Sequence, residues 1–205
     1  MRIELVESPE ARVALVPAIV ERLSAYQEAF PFLLRPDRER MRETLVRSFA
    51  DPRSALLVVH DEDSRLVAAE TATPLDVAFE GAPAPSLEAW LASEGIAPDE
   101  ACWINWTILE PQVQGQGLQV EMVGVLSAEL KRRGVKVRLF NVLVRPKGDR
   151  KLPAGYRSPV GYFEHCGYRR VPLPPLTTQW ADNDEPAGAE PTFKSYFTMY
   201  HDLRG

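Results

Sequence analysis

The sequence has few cysteines, no long hydrophobic run and no excess of positive charge, and each absence excludes a class of protein. Cys102 and Cys166 can form one disulfide at most, and neither has a partner at the spacing of a CxxC metal site. The longest apolar run, residues 55–59, is far shorter than the ~20 residues of a membrane helix. Residues 1–20 lack the basic start, apolar stretch and cleavage site of a secretory signal. We therefore expect a cytoplasmic protein with reduced thiols and no membrane partner.

The charge and composition are those of an acidic globular domain. Lys and Arg number 24 against 29 Asp and Glu, which gives a net charge of −5. Surfaces that bind nucleic acid normally carry a basic excess, so no nucleic-acid partner is expected. The length of 205 residues fits one domain. The 18 prolines predict long irregular connections.

The hydrophobic spacing alternates between helical and strand periods, which predicts an α/β fold with a mixed sheet. The expected helices are 16–30, 41–49, 118–133 and 158–166, and the expected strands are 2–6, 55–59, 66–73, 103–109, 137–144, 168–171 and 193–201. The path from 103 to 144 runs strand, helix, strand, so its two strands should be parallel. Residues 80–100, with a short helical patch at 87–91, and residues 145–157 are expected to be inserted loops.

A loop with two glycines, between the apolar strand and the clearest helix, is the main candidate for chemistry. Residues 109–119 read LEPQVQGQGLQ. Glycines let a backbone approach a ligand closely, and the first turn of a helix offers unpaired N–H groups to phosphate. The lysine of an ATPase phosphate loop is absent, and the dinucleotide fingerprint lacks its third glycine and its acidic residue. Taken alone, the loop is either a phosphate site or a plain turn.

In context, this loop resembles the Q/R-x-x-G-x-G/A motif of the GNAT acetyltransferase superfamily. Residues 112–117 match the motif at every position. Residues 114–119 suit the helix spacing better and are preferred, although Gln119 stands where Gly or Ala is expected. The segment 162–168, YFEHCGY, resembles the F-Y-E-K-x-G-F segment of the same family and follows in the right chain order.

The resemblance implies a single GNAT-like domain over residues 1–205, of the α/β (α+β) class, with a mixed central sheet flanked by helices on both faces. It implies an acetyl-CoA-dependent N-acetyltransferase that acts on a primary amine by direct transfer in a ternary complex, without a metal. Homodimers are frequent in the family, so a homodimer is the implied assembly. The implied cofactor-binding residues are Thr107, Ile108 and Leu109 for pantetheine, and Gln114, Gly115, Gln116, Gly117, Leu118 and Gln119 for the pyrophosphate.

The catalytic positions depart from the family pattern. Many members use a tyrosine in the short helix to protonate the CoA thiolate, but Phe163 occupies that position and Tyr162 precedes it. Tyr162 is therefore the candidate acid. A protonated amine cannot attack, so a base is also needed, and Glu110 is the first candidate with Glu70 second. The departures keep an alternative open, which is a catalytically silent GNAT-like domain that binds acyl-CoA as a sensor or scaffold.

Two charged segments give expectations about ligands. The basic segment is predicted either to contact the 3′-phosphate of CoA or to be solvated, and its cations are Arg145, Lys147, Arg150, Lys151 and Arg157. The acidic segment 181–190 has no Lys or Arg, and its carboxylates are Asp182, Asp184, Glu185 and Glu190. In the family this second loop borders the acceptor entrance. Unless it is simply solvated, it predicts a cationic acceptor.

Overall fold

The strands form one mixed sheet of eight members. The computed structural model describes residues 1–30, 33–81, 83–145, 149–152, 158–186 and 188–205. The strands are β1 (Arg2–Leu5), β2 (Ala55–His60), β3 (Leu66–Pro74), β4 (Ala101–Leu109), β5 (Val137–Val144), β6 (Arg169–Arg170), β7 (Leu176–Trp180) and β8 (Thr192–Asp202). They lie in the order β1-β2-β3-β4-β5-β8-β6, with β7 also paired to β8. The predicted mixed sheet is confirmed.

Helices cover both faces of this sheet, as expected. They are α1 (Pro9–Ala14), α2 (Val16–Ala29), α3 (Arg38–Ala50), α4 (Leu75–Ala78), α5 (Pro85–Ser93), α6 (Leu118–Arg132) and α7 (Val160–His165). The helices α2 and α3 pack on one face, and α6 packs on the other. Among the described residues, no helix has both the length and the apolar character that crossing a membrane requires.

The alternation of side chains along β2 explains the two layers. Leu56 and Val58 pack with α2 and α3, whereas Leu57 and Val59 pack with α6. Successive residues of a strand point to opposite faces of the sheet. Because both faces are covered, β2 is apolar along its whole buried length.

The segment 80–100, expected to be an inserted loop around a short helical patch, forms that helix and contributes to the core. It contains α5, whose Leu87 and Leu91 pack in one cluster with Val137 and Leu139 of β5. This helix therefore supports the sheet where β4 and β5 meet.

The parallel pairing of β4 with β5, which the strand–helix–strand pattern predicted, is confirmed but short. The two strands pair only at Ala101–Trp103 and Val137–Leu139, over three residue pairs. Beyond that point β4 stays paired with β3, and β5 stays paired with β8. The sheet is thus two half-sheets joined at one end. Within the described part of the chain, β4 has no strand on its β5 side from Ile104 to Leu109.

A bulge in β4 lies just past the join. Thr71 of β3 is opposed by two residues of β4, Asn105 and Trp106, and the Thr71 hydroxyl accepts a hydrogen bond from the Trp106 N–H at 3.2 Å. Before the bulge Ile104 packs with α6, and after it Ile108 packs with α2 and α3. The extra residue therefore moves the later side chains of β4 to the other face.

A buried ion pair connects the two half-sheets. Glu70 lies on β3 and Arg138 on β5, and they are 2% and 0% exposed. The Arg138 guanidinium donates to Glu70 Oε1, to Ser127 Oγ at 3.0 Å and to the Val123 carbonyl at 3.4 Å. The Thr107 hydroxyl of β4 also donates to Glu70 Oε1, at 3.3 Å. Since an unpaired buried charge is costly, this network links β3, β4, β5 and α6.

We predict that Arg138→Met lowers the free energy of unfolding by about 3–5 kcal/mol, because it leaves the Glu70 carboxylate buried without its partner. Denaturant titration followed by tryptophan fluorescence measures the change. The double variant Glu70→Gln/Arg138→Met is the control, and it should recover part of the loss because no charge stays buried. A single variant within about 1 kcal/mol of the wild type would show that the pair does not hold the halves together.

Candidate active site

The space between the diverging strands is a cleft of about 690 Å³. The diverging parts of β4 and β5 form its walls. The glycine loop, the start of α6 and helix α7 form one mouth. Tyr26 and Phe30 of α2, together with Leu33, form the other. Because α2 and α6 cover opposite faces of the sheet, the cleft passes through the sheet from one face to the other.

The structure brings most of the predicted cofactor-binding residues together along this cleft. Those that line it are Thr107, Leu109, Gln114, Gly115, Gly117, Leu118 and Gln119. Ile108 does not line it, because its side chain is buried under α2 and α3. Gln116 does not line it either, and its side-chain amide donates to the Gln112 carbonyl at 2.7 Å.

The glycine loop presents a row of free backbone donors. The N–H groups of residues 115 to 119 form no hydrogen bond with any described residue. Gly117 lies immediately before the first residue of α6, where such groups are unpaired and the positive end of the helix dipole adds to their effect. This geometry suits an anion such as a phosphate.

The two glycines are also required by the backbone itself. Gly115 has φ +74° and Gly117 has φ +79°, in the left-handed region that side chains disfavour. A Cβ added at either position would meet no atom of a described residue within 4 Å. The sequence leaves open whether these glycines serve close approach by a ligand or a plain turn, and the conformation of the loop demands them in either case.

Both aromatic residues of α7 reach the cleft, although they are adjacent in sequence. The Phe163 ring packs on Phe140 and Tyr168, with centroids 4.5 Å and 5.6 Å apart, and so is anchored in the core. Tyr162 is 40% exposed at the mouth. Burial and the neighbouring Cys166 thiol raise the pKa of Tyr162 to about 12. Its hydroxyl therefore keeps its proton at neutral pH and can donate it.

Neither predicted base lines the cleft. Glu110 follows β4, and its Oε1 lies 3.1 Å from Nε of Arg22 on α2. Glu70 is buried in its pair with Arg138, and reaches the cleft wall only through Thr107. This placement argues against Glu110 as the proton acceptor that the sequence analysis favoured, because a base has to lie within hydrogen-bond reach of the amine or of one bridging water.

The buried Asp182 joins the basic segment to the acidic one. Its carboxylate, 3% exposed, lies 3.3 Å from Arg145, 3.0 Å from Lys151 and 3.0 Å from Lys194. Burial by itself would raise the pKa of Asp182. The three cations outweigh burial and hold the pKa below its usual range.

Asp184 and Glu185 of the acidic segment are also engaged. Lys151 lies 3.0 Å from Asp184 and 2.8 Å from Glu185. Three of the four carboxylates of the segment are therefore already paired with cations, which weakens the physical basis for expecting a cationic acceptor. Arg145 and Lys151 likewise bind carboxylates, which removes them as contacts for a CoA phosphate. Lys147 and Arg157 lie outside the described residues.

Two asparagines that no sequence motif singled out line the cleft from opposite walls. Asn105 of β4 donates through its amide nitrogen to the Thr73 hydroxyl at 2.8 Å. Asn141 of β5 accepts through its amide oxygen from the Thr198 hydroxyl at 2.9 Å. The signal available in the sequence was a polar amide side chain inside a strand that is otherwise apolar on both faces.

Comparison with solved structures identifies the fold. A ribosomal-protein-alanine N-acetyltransferase from Brucella melitensis matches with a TM-score of 0.58 at 14% identity, over 98% of this chain and 99% of that one. An aminoglycoside 6′-N-acetyltransferase from Enterococcus faecium matches with a TM-score of 0.60 at 13% identity, over 100% and 98%. An aminoglycoside 6′-N-acetyltransferase complexed with coenzyme A matches with a TM-score of 0.57 at 14% identity, over 100% of this chain and 98% of that one. No family model and no curated protein matches the sequence. The chain has the GNAT fold.

We predict opposite effects of alanine at two glycines of this region. Gly117→Ala should lower the free energy of unfolding by about 1–2 kcal/mol, because a Cβ disfavours its left-handed conformation. Gly124→Ala, at an exposed site within α6 where a Cβ meets no described atom within 4 Å, should raise it by about 1 kcal/mol. Denaturant titration of each variant measures the change in the free energy of unfolding. Equal effects would contradict the assigned conformation of Gly117.

Proposed function

We propose that this chain is an N-acetyltransferase that transfers the acetyl group of acetyl-CoA to a primary amine within the cleft. The row of free N–H groups at residues 115–119, opening into a cleft beside an unpaired strand edge, carries the proposal. A diphosphate needs such donors, and a chain of amides such as pantetheine needs such an edge. Solved structures of the same fold include a complex with coenzyme A, and others are named for amine acceptors such as aminoglycosides.

The proposed roles of the binding residues follow from their places around the cleft. The N–H groups of residues 115–119 bind the diphosphate at the positive end of α6. The edge of β4 from Thr107 to Leu109 pairs with the amides of the pantetheine arm through the backbone groups that remain free, since the Leu109 carbonyl accepts from the Gln114 side chain at 3.0 Å. This arrangement directs the thioester into the space between β4 and β5. The amine enters from the opposite mouth, beside Tyr26 and Phe30, so both substrates bind at once.

The proposed chemistry is direct aminolysis of the thioester. The amine nitrogen attacks the carbonyl carbon, a C–N bond forms, and the C–S bond then breaks. The Tyr162 hydroxyl gives its proton to the leaving thiolate and regains one from water. The attacking nitrogen loses its protons to water, so one proton is released for each acetyl group transferred from acetyl-CoA to a protonated amine.

The cleft itself favours the reactive form of the amine. No described residue that lines it is a carboxylate or a histidine, so no lining group of that kind takes the proton directly. Moving an ammonium group out of water disfavours its charged form and lowers its pKa. We propose that this desolvation, with water as the proton acceptor, replaces the dedicated base expected from the sequence.

One observation supports a second candidate function. Phe163 occupies the position where many GNAT enzymes have the acid, and its ring is held in the core by Phe140 and Tyr168. A silent acyl-CoA sensor would use the same N–H groups but would have no need of the Tyr162 hydroxyl.

The first test is binding. Acetyl-CoA should raise the melting temperature through mass action, and a concentration 100 times the Kd stabilises a protein by about 2.7 kcal/mol. Acetyl-pantetheine, which has no diphosphate, should give a smaller shift because it leaves the N–H groups unused. If millimolar acetyl-CoA gives no shift and calorimetry detects no binding, both candidate functions are wrong.

The second test concerns Tyr162. Tyr162→Phe should lower kcat by about 10²- to 10⁴-fold while the Kd for acetyl-CoA stays unchanged. Because the pKa of Tyr162 is raised to about 12, the wild-type kcat should not fall on the alkaline side up to about pH 10. Tyr196→Phe is the matched control, since burial also raises the pKa of that tyrosine to about 12 but it does not line the cleft. A wild type that binds acetyl-CoA and acetylates no amine would favour the sensor.

A further inference from the structure

The mouth of the cleft on the α2 side is apolar and partly aromatic. Tyr26 and Phe30 lie one helical turn apart with ring centroids 4.8 Å apart, and Leu33 and Leu143 line the same cleft. The backbone N–H of Asn183 donates to the Leu33 carbonyl at 2.8 Å, which holds the acidic segment against this mouth. Rings and aliphatic side chains of this kind bind an apolar body by excluding water.

No described residue that lines the cleft carries a charge. Three carboxylates on elements around it are already paired: Glu70 with Arg138, Glu110 with Arg22, and Asp182 with three cations. The aromatic rings can attract one ammonium group as it enters. A second ammonium on the same ligand would lose its hydration without gaining a counter-ion, which is costly.

The cleft offers neutral hydrogen-bonding groups in place of charges. The bond from Asn105 to Thr73 leaves the amide oxygen of Asn105 without a bond to any described residue. A carbonyl oxygen accepts a hydrogen bond from a neutral or protonated amine alike. Asn105 can therefore orient a single amino group without compensating a further charge.

From these observations we infer that the acceptor is a monoamine with an aliphatic or aromatic body, and that polyamines and aminoglycosides are poor acceptors. The inference rests on the proposed acetyl transfer, and it reverses the charge preference that the acidic segment suggested. Asn105 is assigned as a residue that sets this preference.

A matched pair of ligands tests the inference. Hexylamine and 1,6-diaminohexane have the same six-carbon chain and differ by one ammonium group. The rate of transfer is measured from the release of CoA thiol. The kcat/KM for hexylamine should be about 10-fold or more above that for the diamine. Phenethylamine should behave like hexylamine, and spermidine like the diamine. A diamine that is used as well as hexylamine, or better, overturns the inference.

The variant Asn105→Asp tests the assigned residue. One carboxylate oxygen can still accept from the Thr73 hydroxyl, and the added negative charge can partner an ammonium group. The ratio of hexylamine to diamine kcat/KM should therefore fall by about 10-fold or more. Gln179→Glu makes the same change of charge on the exposed strand β7, away from the cleft, and should leave the ratio unchanged. An unchanged ratio in a folded Asn105→Asp protein removes Asn105 from the inference.

Binding measurements separate this inference from the proposed function. Calorimetry with hexylamine and with the diamine, on the free protein and on the protein saturated with CoA, needs no turnover. If the protein neither binds CoA nor transfers an acetyl group, only the proposed function is wrong. Tighter binding of hexylamine than of the diamine supports the inference even then, whereas equal binding, tighter diamine binding or no amine binding overturns it.

Discussion

The shortness of the ladder between β4 and β5 is the constraint on which the rest of the structure depends. Three residue pairs join the half-sheets, and past them each strand keeps only its other neighbour. A full-length ladder would use the backbone groups of β4 and leave no cleft. The short one is reinforced from both sides: α5 packs beneath the join, and the pair of Glu70 and Arg138 ties β3 to β5 under α6. The cleft is therefore bordered by elements that are held in place on both faces of the sheet.

The placement of charge follows a consistent pattern. Glu110 and Glu70 are each compensated by a cation from elsewhere in the chain, Arg22 for Glu110 and Arg138 for Glu70. What remains for a ligand is a set of neutral groups, namely backbone N–H donors, asparagine amides and the Tyr162 hydroxyl. In a partly dry cleft such fixed dipoles act strongly because little water competes with them. The proposed mechanism relies on these dipoles and on desolvation, and it needs no charged catalytic side chain.

The two loops that looked most like ligand-binding features in the sequence stabilise each other instead. The basic segment supplies Arg145 and Lys151, and the acidic segment supplies Asp182 as their buried partner. The contact fixes the acidic segment beside the end of α2. Its effect on the cleft is thus mainly one of shape, because it closes the side of one mouth while three of its four carboxylates are held by cations.

The sequence by itself determined the parts of the fold that depend on local pattern. The strand 137–144, the helix from Leu118 and the glycine loop between strand and helix were all located, because periodicity and helix-start chemistry act over a few residues. The polar and largely exposed β7 (Leu176–Trp180) gave no such signal and was missed. Only the tertiary structure decided at which residue the pairing of β4 with β5 ends, and which cation lies beside each carboxylate. Glu110 looked free because Arg22 is remote in sequence, and the acidic loop looked exposed for the same reason. Contacts between distant residues set the charge of the cleft, and hydrophobic periodicity does not encode them.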